Sequence, residues 1–125
     1  MSKMSKNLAR LSDIARVQLN LEMAKMAEIQ RREDAQRAKI TEHDQEDARI
    51  RGVVTSDDVD LTMLAAMPEW TRMRAGQKAD AQRSLAEIAA QRETQMRATR
   101  KAFGKKDALE KLTAHSKETP RSQEG

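Results

Sequence analysis

The amino-acid sequence predicts an all-α protein, a long antiparallel coiled-coil hairpin of two helices whose termini lie together at one end. Residues 8–50 contain neither proline nor glycine and place apolar side chains at steps of three and four. Residues 52–60 interrupt that pattern, and residues 68–112 resume it. Leu, Ile, Val and Phe supply only 19 of the 125 residues, which is too few for a thick core but enough for a thin helical seam.

The composition narrows the classes of function. No cysteine is present, so disulfides and thiolate chemistry are excluded. The first residues carry scattered charges without an apolar core segment, and no apolar run approaches the roughly 18 residues of a membrane span. The isolated glycines form no phosphate-binding loop. We therefore expect a cytoplasmic protein that is not an enzyme and that binds no cofactor.

The first helix is predicted at about residues 5–51. Its steps of three and four include one slip, between Ala15 and Leu19, and the same register places Glu33, His43 and Asp47 in the seam. The half nearer the turn should therefore be the weaker one. The predicted seam consists of Leu8, Leu11, Ala15, Leu19, Met26, Ile29, Gln36, Ile40 and Ile50.

The turn is predicted at about residues 52–56, within the segment GVVTSDDVD. Gly52 suits the left-handed position that ends many helices. Ser56 suits an N-cap, and the aspartates after it suit a first turn, where the helix dipole favours negative charge. Residues 1–115 then form the whole hairpin.

The second helix is predicted at about residues 57–115, with a kink or break near Pro68. The polar residues 116–125, which contain a second proline, are predicted to be a disordered tail. The predicted seam consists of Met67, Trp70, Arg74, Gln77, Ala81, Leu85, Ile88, Arg92, Met96, Thr99 and Phe103.

A turn near residue 55 predicts the register of the two helices. Partners should have numbers that add to about 110, because antiparallel helices rise equally per residue on both sides of the turn. Leu8 should then lie opposite Phe103, and Ile40 opposite Trp70.

Charge is distributed unevenly. Residues 41–60 carry seven acidic and two basic side chains, whereas residues 92–106 carry six basic and one acidic. In the predicted register Lys3, Lys6 and Arg10 lie across from the second group. The sequence therefore predicts a basic end, formed by both termini, that docks into a partner.

The segment RKAFGKKDALEKL at residues 100–112, within a hairpin whose termini meet, resembles the FliJ/YscO family. These are central-stalk proteins of flagellar and type III secretion export. The resemblance implies insertion of the terminal end into a hexameric export ATPase ring, contact with the cytoplasmic domain of the membrane export gate, and handling of export chaperones. It also implies a peripheral location at the cytoplasmic face of the inner membrane, reached through those partners.

Carried onto this chain, the resemblance implies two sets of binding residues. The ring set is Leu8, Leu11, Arg97, Arg100, Lys101, Phe103, Lys105 and Lys106. The gate set is Gln36, Ile40, Trp70, Met73 and Gln77.

Other functions compete with this interpretation. The basic residues could attract nucleic acid without sequence preference, and a long helical pair could serve as a scaffold or chaperone. His43 and Asp47 have a spacing that suits a metal ion, but a site would need further ligands from the second helix. A solvated acidic turn is the favoured explanation there, so no metal is expected.

Overall fold

The computed structural model describes residues 2–57 and 59–118, with side chains as far as residue 116. Within those ranges the regular elements are two helices, α1 at Lys3–Val54 and α2 at Leu61–Glu118. The helices pack against each other, which confirms the predicted all-α class with two long helices.

The contacts divide the chain into two units. The terminal unit comprises Met1–Ile29 and Gln91–Gly125, and the central unit comprises Gln30–Ala90. Each unit contains a stretch of α1 and a stretch of α2, so each has its own helix–helix contacts and is described separately.

In the terminal unit, α1 and α2 run antiparallel. The hydroxyl oxygens of Ser5 and Ser116 are 2.9 Å apart, and Arg16 donates to Glu110 over 2.8 Å. Farther along α1, the Gln95 amide donates to the backbone carbonyl of Glu22 over 3.0 Å. The beginning of α1 therefore lies beside the end of α2.

The central unit is antiparallel as well. Gln36 donates to the carbonyl oxygen of Ala81 over 3.1 Å, and Lys78 donates to Asp44 over 2.6 Å. The guanidinium of Arg74 lies 3.2 Å from the Asp47 carboxylate. Charged and amide side chains therefore make these cross-helix contacts of the central unit.

The predicted register is wrong. It placed Leu8 opposite Phe103 and would put residue 105 opposite Ser5, but Ser5 contacts Ser116 instead. The displacement is about three helical turns. Part of it arises because α1 continues as far as Val54 and α2 begins late, which moves the midpoint between the helices towards the C-terminus.

The predicted turn at residues 52–56 is also wrong, because Gly52 is helical and no glycine in the described ranges has a positive φ. Thr55 donates to the carbonyl of Arg51 through its backbone N–H over 3.0 Å and its hydroxyl over 2.9 Å. The Ser56 hydroxyl donates to the Val53 carbonyl over 2.7 Å. These donors satisfy the last carbonyls of α1, so the helix ends without a left-handed glycine.

The start of α2 differs from the prediction for a related reason. Ser56 serves α1 and does not cap α2. Asp60 does so instead, because its carboxylate accepts the backbone N–H of Thr62 over 3.1 Å. Asp57 therefore precedes the helix, which begins at residue 61, and Asp58 lies outside the described residues.

α2 continues through Pro68, so of the predicted kink or break the break is wrong, and the kink stays a prediction. Proline lacks the N–H that would reach the carbonyl of Leu64, and the helix proceeds with that bond missing. Residues 116–118 belong to α2, contrary to the predicted disorder from residue 116. The rest of the predicted tail, residues 119–125, lies outside the described residues.

The helices meet through small and polar side chains. Of the five buried apolar residues in the described part of the chain, three are alanines. Small side chains let two helix backbones approach closely, but they remove little apolar surface from water. The buried residues are Ser5, Ser12, Ala15, Leu19, Glu33, Ala81, Ile88 and Ala102.

Three predicted seam residues are exposed, namely Leu11, Gln77 and Phe103. Leu11 is 49% exposed while its neighbour Ser12 is 6% exposed, and Phe103 is 53% exposed while Ala102 is 8% exposed. With Ser12 in the contact, the inward residues 5, 8, 12, 15 and 19 keep regular steps, so the predicted slip is absent. Hydrophobicity favoured Leu11 and Phe103, but helical phase decides which side chain faces the other helix.

Candidate functional site

The terminal unit contains the whole ring set, and the central unit contains the whole gate set. In the ring set, Leu8 is half-buried between the helices and Leu11 is largely exposed. The remaining ring residues lie on α2. We call four of them the terminal basic cluster: Arg97, Arg100, Lys101 and Lys105.

All four side chains of the terminal basic cluster are exposed. Within residues 2–57 and 59–118, none of them has an ion-pair or hydrogen-bond partner. Without an acidic partner among the described side chains, these four cations produce a positive potential over this part of α2. That potential is available to attract an acidic surface.

Phe103 lies among these cations with its ring half in solvent. The Lys106 ammonium is 5.1 Å from the ring centroid, within cation–π range. The same ammonium is 3.6 Å from a Glu110 carboxylate oxygen. Lys106 is therefore engaged locally, and it holds at the surface an aromatic side chain of the kind that anchors protein interfaces.

A groove of about 310 Å³ lies between α1 and α2 in the terminal unit. Leu21 supplies apolar surface on the α1 side, and two members of the terminal basic cluster line the α2 side. The lining residues are Gln18, Leu21, Glu22, Lys25, Ala98, Lys101, Ala102 and Lys105.

The acid in this groove is already engaged. Gln95 donates a hydrogen bond to the Glu22 carboxylate, and Lys25 lies 3.3 Å from it. The Gln95 hydrogen bond, followed by the Lys25 contacts, holds the pKa of Glu22 below its usual value of 4.5 despite partial burial. Lys101 and Lys105 therefore dominate the charge that the groove presents to a partner.

A similar arrangement lies nearer the chain ends. The hydrogen bond from Arg16, more than any other contact, lowers the pKa of Glu110, and Lys106 adds to the effect. In both places a carboxylate is held ionised by contacts that join α1 to α2, so acid should weaken these contacts.

One member of the gate set contacts the other helix, and two others contact Arg74 on α2 itself. Gln36 donates to a carbonyl of α2, and the Arg74 guanidinium lies 5.5 Å from the Trp70 ring centroid. Gln77 accepts a weaker hydrogen bond from Arg74 over 3.4 Å. Ile40 is half-buried, whereas Met73 is 52% exposed. Met73 and Trp70 line a shallow concavity on α2 with Ala66, Glu69 and Arg72.

Two acidic side chains of α1 in the central unit pair with basic residues of α2. Asp47 pairs with Arg74, which also donates to the backbone carbonyl of His43 over 3.4 Å. Asp44 pairs with Lys78. The described residues include no group of three or more His, Cys, Asp and Glu side chains placed to hold a metal ion.

The sequence prediction missed one feature, an exposed apolar stripe on α1 that lies to the side of the face in contact with α2. We call it the outer stripe: Met4, Leu11, Ile14 and Leu21. Its signal was available in the sequence, because these residues follow one another at steps of seven, three and seven. Leu11 belongs to the outer stripe and not to the seam in which the sequence analysis placed it.

No helix in the described part of the chain is both long enough and apolar enough to cross a membrane. No family model matches the chain, and comparisons with curated proteins and with solved structures each gave no match. Inference about function therefore depends on the residues and their geometry.

Proposed function

We propose that this protein is a central-stalk or adaptor component of a flagellar or type III protein export apparatus. Its terminal unit inserts into a hexameric ATPase ring. The observation that carries the proposal is the terminal basic cluster: four exposed cations without partners in the described chain, beside the exposed ring of Phe103. They lie in the unit where the beginning of α1 meets the end of α2.

Docking by this unit is electrostatic first and apolar second. The unpaired cations raise the rate of encounter with an acidic ring surface, and Phe103 with Leu11 supplies apolar contact once the unit is seated. The terminal basic cluster lies on α2 alone, so an inserted terminal unit presents this cluster to the ring subunits on one side only. Ring subunits around it are then biased unequally, which promotes assembly or ATP turnover. The chain itself hydrolyses nothing.

The finer architecture belongs to the same proposal. Inward residues of α1 at regular steps of three and four support an antiparallel coiled-coil hairpin. The exposed Met73 and the concavity beside it support contact of the central unit with the export gate. Export chaperones complete the proposed partners, and these place the protein at the cytoplasmic face of the inner membrane.

The test measures stimulation of a hexameric export ATPase by the full chain and by a variant with Arg100→Glu, Lys101→Glu and Lys105→Glu. Three exposed ion pairs at about 0.5 kcal/mol each predict that half-maximal stimulation needs at least about tenfold more variant. The variant should stay helical by circular dichroism, since none of the three side chains is buried.

A matched control reverses three exposed basic residues of the central unit, with Lys39→Glu, Arg72→Glu and Arg83→Glu. It changes the net charge equally and should stimulate like the unaltered chain. Equal loss in both variants would assign the effect to bulk charge, and stimulation that survives reversal of the terminal basic cluster would contradict the proposal.

The same unpaired cations favour one alternative, nonspecific binding to nucleic acid. A salt-dependent shift of random duplex DNA that the terminal reversal abolishes, without any ATPase stimulation, would support that function instead. Client binding that ignores the terminal basic cluster would support the scaffold or chaperone alternative.

A further inference from the structure

The outer stripe on α1 consists of four large apolar side chains that are exposed on one side of the helix. Met4 is 68% exposed, Leu11 49%, Ile14 55% and Leu21 58%. Single exposed apolar residues are ordinary, whereas four large ones on one side of a helix indicate an interaction surface, here with the polar residues Asn7 and Gln18 between them. Contacts with α2 do not account for this row.

The spacing of the outer stripe is that of a helix-packing seam. Steps of seven, three and seven return to one face of a helix, as do the inward residues that contact α2. Around the axis of α1, the outer stripe lies roughly a quarter-turn or more from the residues that contact α2. α1 therefore carries two seams, of which only one is filled by α2, and the open seam suits another helix.

The outer stripe is also symmetric along the helix. Leu11 and Ile14 lie equally far from the midpoint between residues 12 and 13, and so do Met4 and Leu21. A two-fold axis through that midpoint, perpendicular to α1, would exchange the members of each pair. An isologous interface requires this self-complementarity, whereas binding to an unrelated helix does not.

We infer that the terminal unit binds a second copy of this chain, with α1 packed antiparallel on α1 through the outer stripe. Met4 packs against the partner's Leu21, and Leu11 packs against the partner's Ile14. This inference goes beyond the proposed stalk function and does not depend on it.

Charges near the outer stripe fit the same register. Lys3 and Glu22 are also equally far from the midpoint, so each lies opposite a residue of opposite sign. The terminal basic clusters of the two copies repel each other, however, and salt screens that repulsion. Self-association should therefore strengthen as salt is added, whereas binding to an acidic partner helix would weaken.

Sedimentation equilibrium of the full chain at roughly 50 and 500 mM NaCl tests the inference. We expect a species of twice the 14.2 kDa chain mass, with a larger dimer fraction at the higher salt. The variant with Leu11→Glu and Ile14→Glu should be monomeric at both. It should keep its helical circular dichroism, because both side chains already face solvent in the single chain.

The matched control carries Met23→Glu and Leu61→Glu, which are 53% and 80% exposed and lie outside the outer stripe. It adds the same charge, at one position of α1 and at the first residue of α2, and should dimerise like the unaltered chain. A control that also becomes monomeric would show that added negative charge alone disperses the copies, and this would overturn the assignment.

Mixing single variants tests the register. A Leu11→Glu chain and an Ile14→Lys chain each bury a charge against an apolar side chain in their own dimers. In the antiparallel mixed dimer the two charges meet, so it should form at least about tenfold more tightly than either variant alone. A parallel pairing would not bring the new charges together.

Three results would overturn the inference. They are a monomeric chain at about 100 µM in both salts, a dimer that survives Leu11→Glu with Ile14→Glu, or mixing that restores nothing. Binding of an acidic amphipathic model helix by a monomeric chain would assign the outer stripe to a different protein. None of these measurements involves the ATPase, so their failure is distinct from failure of the stalk proposal.

Discussion

The terminal and central units are built from the same two helices and use charge in opposite ways. In the central unit, Arg74 and Lys78 of α2 pair with Asp47 and Asp44 of α1. In the terminal unit, the four cations of the terminal basic cluster have no partner in the described chain. Basic residues stabilise the helix pair where the facing helix supplies acids, and where it does not they remain free to bind another molecule.

The units also differ in what they expose. The terminal unit buries Ser5 and Ser12 while the outer stripe and Phe103 face solvent. The central unit buries Glu33 and leaves Leu61 and Met73 as its most exposed large apolar residues. Apolar surface is thus left on the outside mainly in the unit that also carries unpaired charge, a combination typical of docking surfaces.

The largest expected effect on stability comes from truncating buried apolar side chains. The loss in the free energy of unfolding should be similar in both units. Leu19→Ala and Ile88→Ala each remove a side chain that is 7–8% exposed and should lower the free energy of unfolding by about 2 kcal/mol. Urea denaturation measures this, with Leu61→Ala as an exposed control that should change little. A much smaller loss for Leu19→Ala would show that the terminal unit depends less on its seam than the central unit does.

Cross-helix ion pairs should separate the units more clearly. The Asp47–Arg74 side chains are 26% and 16% exposed, whereas those of Glu110 and Arg16 are 35% and 56% exposed. Asp47→Asn should therefore cost about 1 kcal/mol in urea denaturation and Glu110→Gln clearly less, because solvent screens the more exposed pair. Equal costs would remove the proposed difference in how the units use charge. A double-mutant cycle with Arg74→Met isolates the pair itself.

The smallest effect concerns acid. The pKa of Glu22 is lowered by a contact from α2, whereas the pKa of Glu46 is lowered chiefly by its α1 neighbour Arg49. A carboxyl with a lowered folded-state pKa stabilises above its unfolded value of 4.5, and that stability is lost as pH falls through the folded pKa. Acid should therefore weaken helix pairing in the terminal unit and only local helix contacts around Glu46.

NMR titration of the carboxyl groups measures this difference. Gln95→Ala should raise the pKa of Glu22 towards 4.5 and leave that of Glu46 in place. Arg49→Gln is the matched change in the central unit and should do the reverse. Movement of both pKa values in either variant would show that the two carboxyls are coupled and would weaken the comparison.

Much of the fold could be predicted because it depends on local chemistry. Unbroken stretches at helical period give two helices, and Glu33, His43 and Asp47 do lie inward, as their register in α1 predicts. The ends of the helices could not be predicted in this way, because several residues compete for each cap. Gly52 was expected to end α1. Instead, the hydroxyls of Thr55 and Ser56 donate to the last carbonyls of α1, and the helix ends after Gly52.

The composition of the candidate site followed from the sequence, but its exposure did not. Counting charges found the basic residues of α2, whereas only the packed helices show which of them lack acidic neighbours. In the sequence, Arg74 and Lys101 are both basic residues, and nothing there distinguishes how they are used. One lies across from Asp47, and the other faces solvent beside a groove.

By itself the sequence determined two long helices, a thin and partly polar contact between them, and a concentration of positive charge late in the chain. These follow from residue period and composition, which act over a few turns of helix. Only the tertiary structure decided the register, which buries Ser12 and Ala102 and leaves Leu11 and Phe103 in solvent. The phase of one helix against the other is set by the summed fit of many weak contacts, and no single residue encodes it.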